Sequence, residues 1–223
     1  MRETDFREDG LGMVEGLLGL ILTSAVLIAV PGPSIMFLVG QTLSVGRPSA
    51  LRGVVGNAIG TYGVGVVLAV GIGSLILRSG EVMLAIKLFG AVVLCAIGLR
   101  YILARQQLRD GGDAPPTTRR QSLVSGMIVG FTNPKALIMF GTIVPSFMPA
   151  GTDSPIATLL LWSLIPIGLG LVIDGLWVLT ADAARVRLLR AERSLRIVNA
   201  AGGALILAMG VLLALEAFGV TGR

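Results

Sequence analysis

Long stretches of this chain carry almost no charge, and its basic residues are collected in short segments between them. That segregation restricts the fold more than any single motif does. Each apolar stretch reaches or exceeds the roughly 20 residues a helix needs to cross about 30 Å of hydrocarbon. Hydrophobic residues make up 54% of the chain and charged residues 14%, whereas an average soluble domain carries roughly 25% charged residues. The pattern predicts an all-α integral membrane protein, one transmembrane domain over residues 1–223. Six spans are expected at about 16–38, 53–77, 82–103, 122–148, 157–180 and 197–219.

Orientation follows from where Arg and Lys fall between the spans. The first loop has Arg47 and Arg52, the third Arg100, Arg105, Arg109, Arg119 and Arg120, and the fifth Arg185, Arg187, Arg190, Arg193 and Arg196. Loops one, three and five share a side, and together they hold 12 of the 18 basic residues. The other side has Arg2, Arg7, Arg78, Lys87 and Arg223, diluted by an acidic N-terminal tail. Basic loops stay in the cytoplasm, so both termini are expected on the periplasmic side. The net charge of +5 is explained in the same way, and nucleic acid is not expected as a partner. The N-terminal segment lacks the basic start of a cleaved signal peptide and is expected to be retained.

The third loop divides the chain. Asp110-Gly111-Gly112-Asp113-Ala114-Pro115-Pro116 has the composition of a connector, within a Gly/Pro/Arg loop spanning 104–121. The halves, about 1–109 and 118–223, then hold three helices each. Three is odd, so the halves cross the membrane in opposite directions, as in an inverted repeat.

Two interruptions fall inside spans. Pro31-Gly32-Pro33 breaks the first, because neither proline has an N–H and each ring clashes with a carbonyl one turn earlier. Asn133-Pro134-Lys135 breaks the fourth. Pro31 to Asn133 and Pro33 to Lys135 share an offset of 102. Carbonyls freed at such breaks cannot face lipid and must be buried or line a wet cavity. Matched breaks in the two halves point to a binding site near the midplane.

Pro31-Gly32-Pro33, followed by Gly46-Arg47, Gly53, Gly56 and Gly60, resembles the first two helices of the LysE/RhtB amino-acid exporters. Gly130-Phe131-Thr132-Asn133-Pro134-Lys135-Ala136, continuing to Pro145-Ser146-Phe147, resembles that family's fourth helix. Asp174-Gly175-Leu176-Trp177 is similar to its fifth, and the Arg-rich segment before Gly202 to the approach to its sixth. The resemblance implies a bacterial inner-membrane exporter of amino acids or close derivatives, driven by an ion gradient. In one departure, Thr61 stands where many members carry an acidic residue.

Charges inside spans narrow the site. A charge at a helix centre costs roughly 2.5–3.5 kcal/mol on insertion scales, so it usually faces the bundle interior and has a task. Lys135 directly follows a break. Its options are a buried carboxylate, the carbonyls of the break, or a substrate carboxylate. Asp174 sits about 17 residues into the fifth span, either near the cytoplasmic headgroups or inside the bundle. The chain has no histidine, so a protonation switch would fall to a carboxyl, and Asp174 is the ion-coupling candidate. Asn57 and Thr61, four apart on one helical face, join the candidate substrate-binding set of Pro31, Gly32, Pro33, Asn133, Pro134 and Lys135. Glu15 and Glu216 lie near span ends and read as interfacial, and Trp162 and Trp177 as interface anchors.

Other classes fit less well. No His-Glu-x-x-His or Gly-x-Ser-x-Gly motif points to an enzyme. Cys95 is alone, so a thiol-redox carrier is excluded. No cofactor is implied, and no His/Cys/Asp cluster marks a metal site. An exporter of another solute or a metal ion, or a passive channel, remains the alternative. Monomer and homodimer are both open.

Overall fold

The computed structural model describes residues 2–72, 80–109, 118–149, 154–189 and 194–218. The connector at 110–117, with Arg78, Arg190, Arg193 and Arg223, lies outside them. Every regular element among the described residues is helical. Helix α1 (Arg2–Ala29) is followed by α2 (Pro33–Val45) and α3 (Arg47–Val67), which ends in a π-helical turn at Leu68–Ile72. Next come α4 (Gly80–Arg109), α5 (Arg119–Phe131) and α6 (Pro134–Ile138). A second π-helical turn, Met139–Ile143, joins α6 to the short α7 (Val144–Phe147). The long α8 (Pro155–Leu189) and α9 (Ser194–Ala217) complete the bundle.

Arg47–Val70 and Pro155–Arg187 are each long and apolar enough to cross a membrane. Two bent pairs qualify when each is taken as one broken span: Met13–Ala29 with Pro33–Val45, and Arg119–Phe131 with Pro134–Phe147. Both pairs bend by 52°. Ala201–Ala217 is a shorter apolar helix. By length and composition the described residues therefore supply up to four spans, two of them broken at the proline motifs.

Several expected boundaries shift. The first basic loop reduces to Gly46, whose φ of +90° is a backbone conformation that glycine adopts at no steric cost. Arg47 and Arg52 belong to the first turns of α3, since Pro48 is well placed at a helix start, where its missing N–H is not needed. Arg185 and Arg187 likewise belong to α8, which runs nine residues beyond the expected limit at 180. Hydropathy marks where lipid ends, but a helix continues as far as its backbone bonds do.

Glycines set the closest helix contact. A Cβ at Gly56 would strike the Leu123 carbonyl, one at Gly60 the Met127 carbonyl, one at Gly126 that of Gly53, and one at Gly130 that of Asn57. With small residues four apart on both partners, α3 and α5 pack backbone to backbone. Contacts advance together along both helices, so α3 and α5 run parallel, and Arg47 and Arg119 start them at the same end. Arg185 Nε donates to Leu43 O at 3.1 Å, which brings the end of α8 to that same end.

Candidate functional site

The first break is set by proline chemistry. Pro31 has no N–H to give the carbonyl four residues back, which is Leu27 O. The residue before a proline is also pushed out of the helical region, and α1 stops at Ala29. Lys135 answers the freed carbonyls: its Nζ donates to Val30 O at 2.6 Å and Leu27 O at 3.3 Å. An ammonium at the carbonyl end of a helix is also favoured by the helix dipole. The lysine of the second break thus closes the end of the first.

Each break then restarts a helix on proline. Gly32 is the N-cap of α2 and offers no side chain to its free N–H groups. Asn133 is the N-cap of α6, and its Oδ1 accepts from Lys135 N at 3.0 Å. The two caps are separated by 101 positions (133 − 32), one fewer than the sequence match of 102, because the corresponding prolines are Pro33 and Pro134 at the first helical positions. The uncapped end is therefore that of α2.

A buried chain of polar side chains links both breaks to two further helices. Asn133 Nδ2 donates to Ser34 Oγ at 2.7 Å, and Ser34 Oγ donates to Asn57 Oδ1 at 2.8 Å. Asn57 Nδ2 in turn donates to Asp174 Oδ2 at 2.9 Å. Asp174 is 4% exposed. Burying these groups is tolerable because each is hydrogen-bonded. Leu38, Val54, Val129 and Val178, one helical turn nearer the basic end, are buried in one apolar cluster. The chain therefore lies directly above an apolar layer.

Gly32, Asn57, Thr61, Asn133, Lys135 and Asp174 all line one cavity of about 70 Å³. That is room for several water molecules. Pro31, Pro33 and Pro134 do not line it; they shape the backbone beside it. No ion pair between Lys135 and Asp174 is formed, and they face the cavity as separate charges. Among the described residues, no three His, Cys, Asp or Glu side chains converge as metal ligands.

Ser34 is the functional candidate that sequence reasoning missed. Its signal was its place, the first residue after Pro33 and hence at the open start of α2. The π-helical turn also went unseen, although Met139 and Phe140 from it line the cavity, and π turns are frequent at functional sites. Glu15 and Glu216 are exposed. Trp162 packs against Gly16 of α1. Trp177 lies 12 residues before the end of α8.

The LysE type translocator family model matches residues 25–217. The uncharacterized membrane protein YrhP of Bacillus subtilis (strain 168) is 24% identical over 144 residues, which is 60% of this chain and 69% of that protein. An uncharacterized membrane protein of Vibrio cholerae serotype O1 is 26% identical over 136 residues, 61% of this chain and 66% of the relative. The threonine efflux protein of Salmonella typhi is 25% identical over 122 residues, 53% of this chain and 59% of that protein. No solved structure matches. With a match across most of its length and both helix breaks inside it, the chain belongs to the LysE type translocator family of multi-pass membrane transporters.

Proposed function

We propose that this chain is a secondary exporter of amino acids or close derivatives across the bacterial inner membrane, driven by an ion gradient. The observation that carries the reading is the pair of opposite, unpaired charges, Lys135 and Asp174, on one cavity where both helix breaks meet. An α-amino acid brings a carboxylate and an ammonium, and so has a partner for each. Its carboxylate suits Lys135 and the uncapped start of α2, where backbone N–H groups and the helix dipole favour an anion. Its ammonium suits Asp174. A threonine efflux relative supports this substrate type. Gly32, Asn57, Thr61, Asn133 and Lys135 are the proposed binding residues, with Pro31, Pro33 and Pro134 holding the backbone open. Asp174 is the proposed coupling group.

The proposed architecture is six spans in two inverted halves of three. Support comes from the equal bends of the two broken spans and from the basic starts of α3 and α5 at one end. By the positive-inside rule that end is cytoplasmic and both termini are periplasmic. A phosphatase fused after Arg223 should be active, and a cytoplasmic fluorescent protein fused there should stay dark. The reverse pattern would overturn the orientation.

Metabolite profiling of cells with and without the protein tests the function. One or more amino acids should accumulate outside expressing cells and inside cells lacking it. Unchanged amino-acid pools on both sides of the membrane would defeat the reading. A passive channel is separated from a carrier by counterflow, since only a carrier is accelerated by substrate on the opposite side.

A further inference from the structure

We propose that the cavity selects amino acids with uncharged side chains and rejects both cationic and acidic ones. The proposal rests on the amino-acid reading above and sharpens it by charge balance. Among the described residues lining the cavity, Lys135 and Asp174 are the ionisable ones, and all others are neutral. Asp174 has one oxygen committed to Asn57, and Lys135 has two of its three N–H donors on the Leu27 and Val30 carbonyls. Each group therefore has capacity for about one charged partner on the substrate.

A zwitterion with a neutral side chain uses both groups and leaves no charge over. The side-chain ammonium of a dibasic substrate would find no second carboxylate in the lining. A second substrate carboxylate would find no second cation. Beside the neutral polar groups of Ser34, Asn57, Thr61 and Asn133, the wall is apolar, with Ile28, Met139, Phe140, Pro166 and Ile167 among its residues. An unpaired charge buried there should lower apparent affinity on the order of 100-fold or more.

The test uses the purified full chain in liposomes, with labelled L-threonine, L-lysine and L-glutamate as probes in counterflow. Threonine should be exchanged, and lysine and glutamate should be slower by about 100-fold at equal concentration. Lysine or glutamate exchanged as fast as threonine overturns the selectivity while leaving amino-acid transport standing. Exchange of no amino acid of any class by folded, monodisperse protein overturns transport itself, and the selectivity with it. The second arm adds a carboxylate to the lining with Thr61→Asp, or with Ala58→Asp if the first variant does not insert. The lysine-to-threonine ratio should then rise at least about tenfold, the effect of roughly one charge-assisted hydrogen bond. A ratio unchanged in an inserted variant overturns the proposal, because a site selecting by charge balance must respond to added charge.

Discussion

Asp174→Asn is expected to abolish gradient-driven export while the protein still inserts and accumulates. The variant keeps the shape of the side chain. Its amide oxygen can accept from Asn57 Nδ2 as Asp174 Oδ2 does at 2.9 Å, so the chain through Ser34 and Asn133 survives. What changes is the face toward the cavity, where an N–H₂ replaces a carboxylate oxygen and the negative charge is gone. Losing a hydrogen bond to a charged group costs roughly 1.5–3 kcal/mol, or about 10- to 150-fold in apparent affinity for a substrate ammonium. Two assays separate the roles. Loss of net export with exchange retained identifies a coupling carboxyl, and loss of both identifies a substrate ligand. Export at the wild-type rate would refute both roles. Lys135→Ala should also abolish export, but it strips the donor from Leu27 O and Val30 O. A carbonyl left unpaired away from water costs roughly 1–3 kcal/mol, so protein level has to be measured beside flux. Lys135→Arg, which keeps the charge, should restore accumulation more fully than transport.

The residues of the cavity were legible in the sequence to the degree that their chemistry is local. A proline inside an apolar run breaks a helix whatever surrounds it, so Pro31, Pro33 and Pro134 announce both interruptions. Lys135 is conspicuous because charge is costly in lipid. Asn57 and Asp174 could be listed as polar residues in spans, but their direct bond joins positions 117 residues apart, and no local pattern encodes that. Ser34 is the same case. A serine hydroxyl in a membrane helix usually bonds back to its own helix, as Ser163 does to Leu159 O at 2.6 Å. Ser34 bridges Asn133 and Asn57 only because α3 and the start of α6 both meet α2 at this point. For Lys135, three partners were open from sequence. The Leu27 and Val30 carbonyls of the first break hold it, a choice made by how closely the two breaks approach: a Cβ on Gly32 would lie 3.1 Å from Lys135 Cε.

Gly60→Val is expected to cut accumulation several-fold, and to cost what remains more transport than its amount explains. The site depends on the α3–α5 crossing, because Asn57 must sit beside the second break. A Cβ at Gly60 would strike Met127 O and lie 2.9 Å from Phe131 N. Those atoms are backbone, so no rotamer change relieves the clash and the helices must separate. Overpacking of this kind costs roughly 1–3 kcal/mol, which for a chain of this size lowers the melting temperature by several degrees. Separation would also shift Asn57 against Asn133, two residues beyond the end of α5, and strain the bonds through Ser34. Gly168→Ala is the control. Nothing lies within 4 Å of a Cβ at Gly168, and alanine in place of glycine inside a helix is favourable by roughly 0.5–1 kcal/mol. That variant should accumulate at least as well as wild type and export normally. If Gly60→Val melted and transported like wild type while Gly168→Ala did not, contact at this crossing would not be what holds Asn57 to the second break.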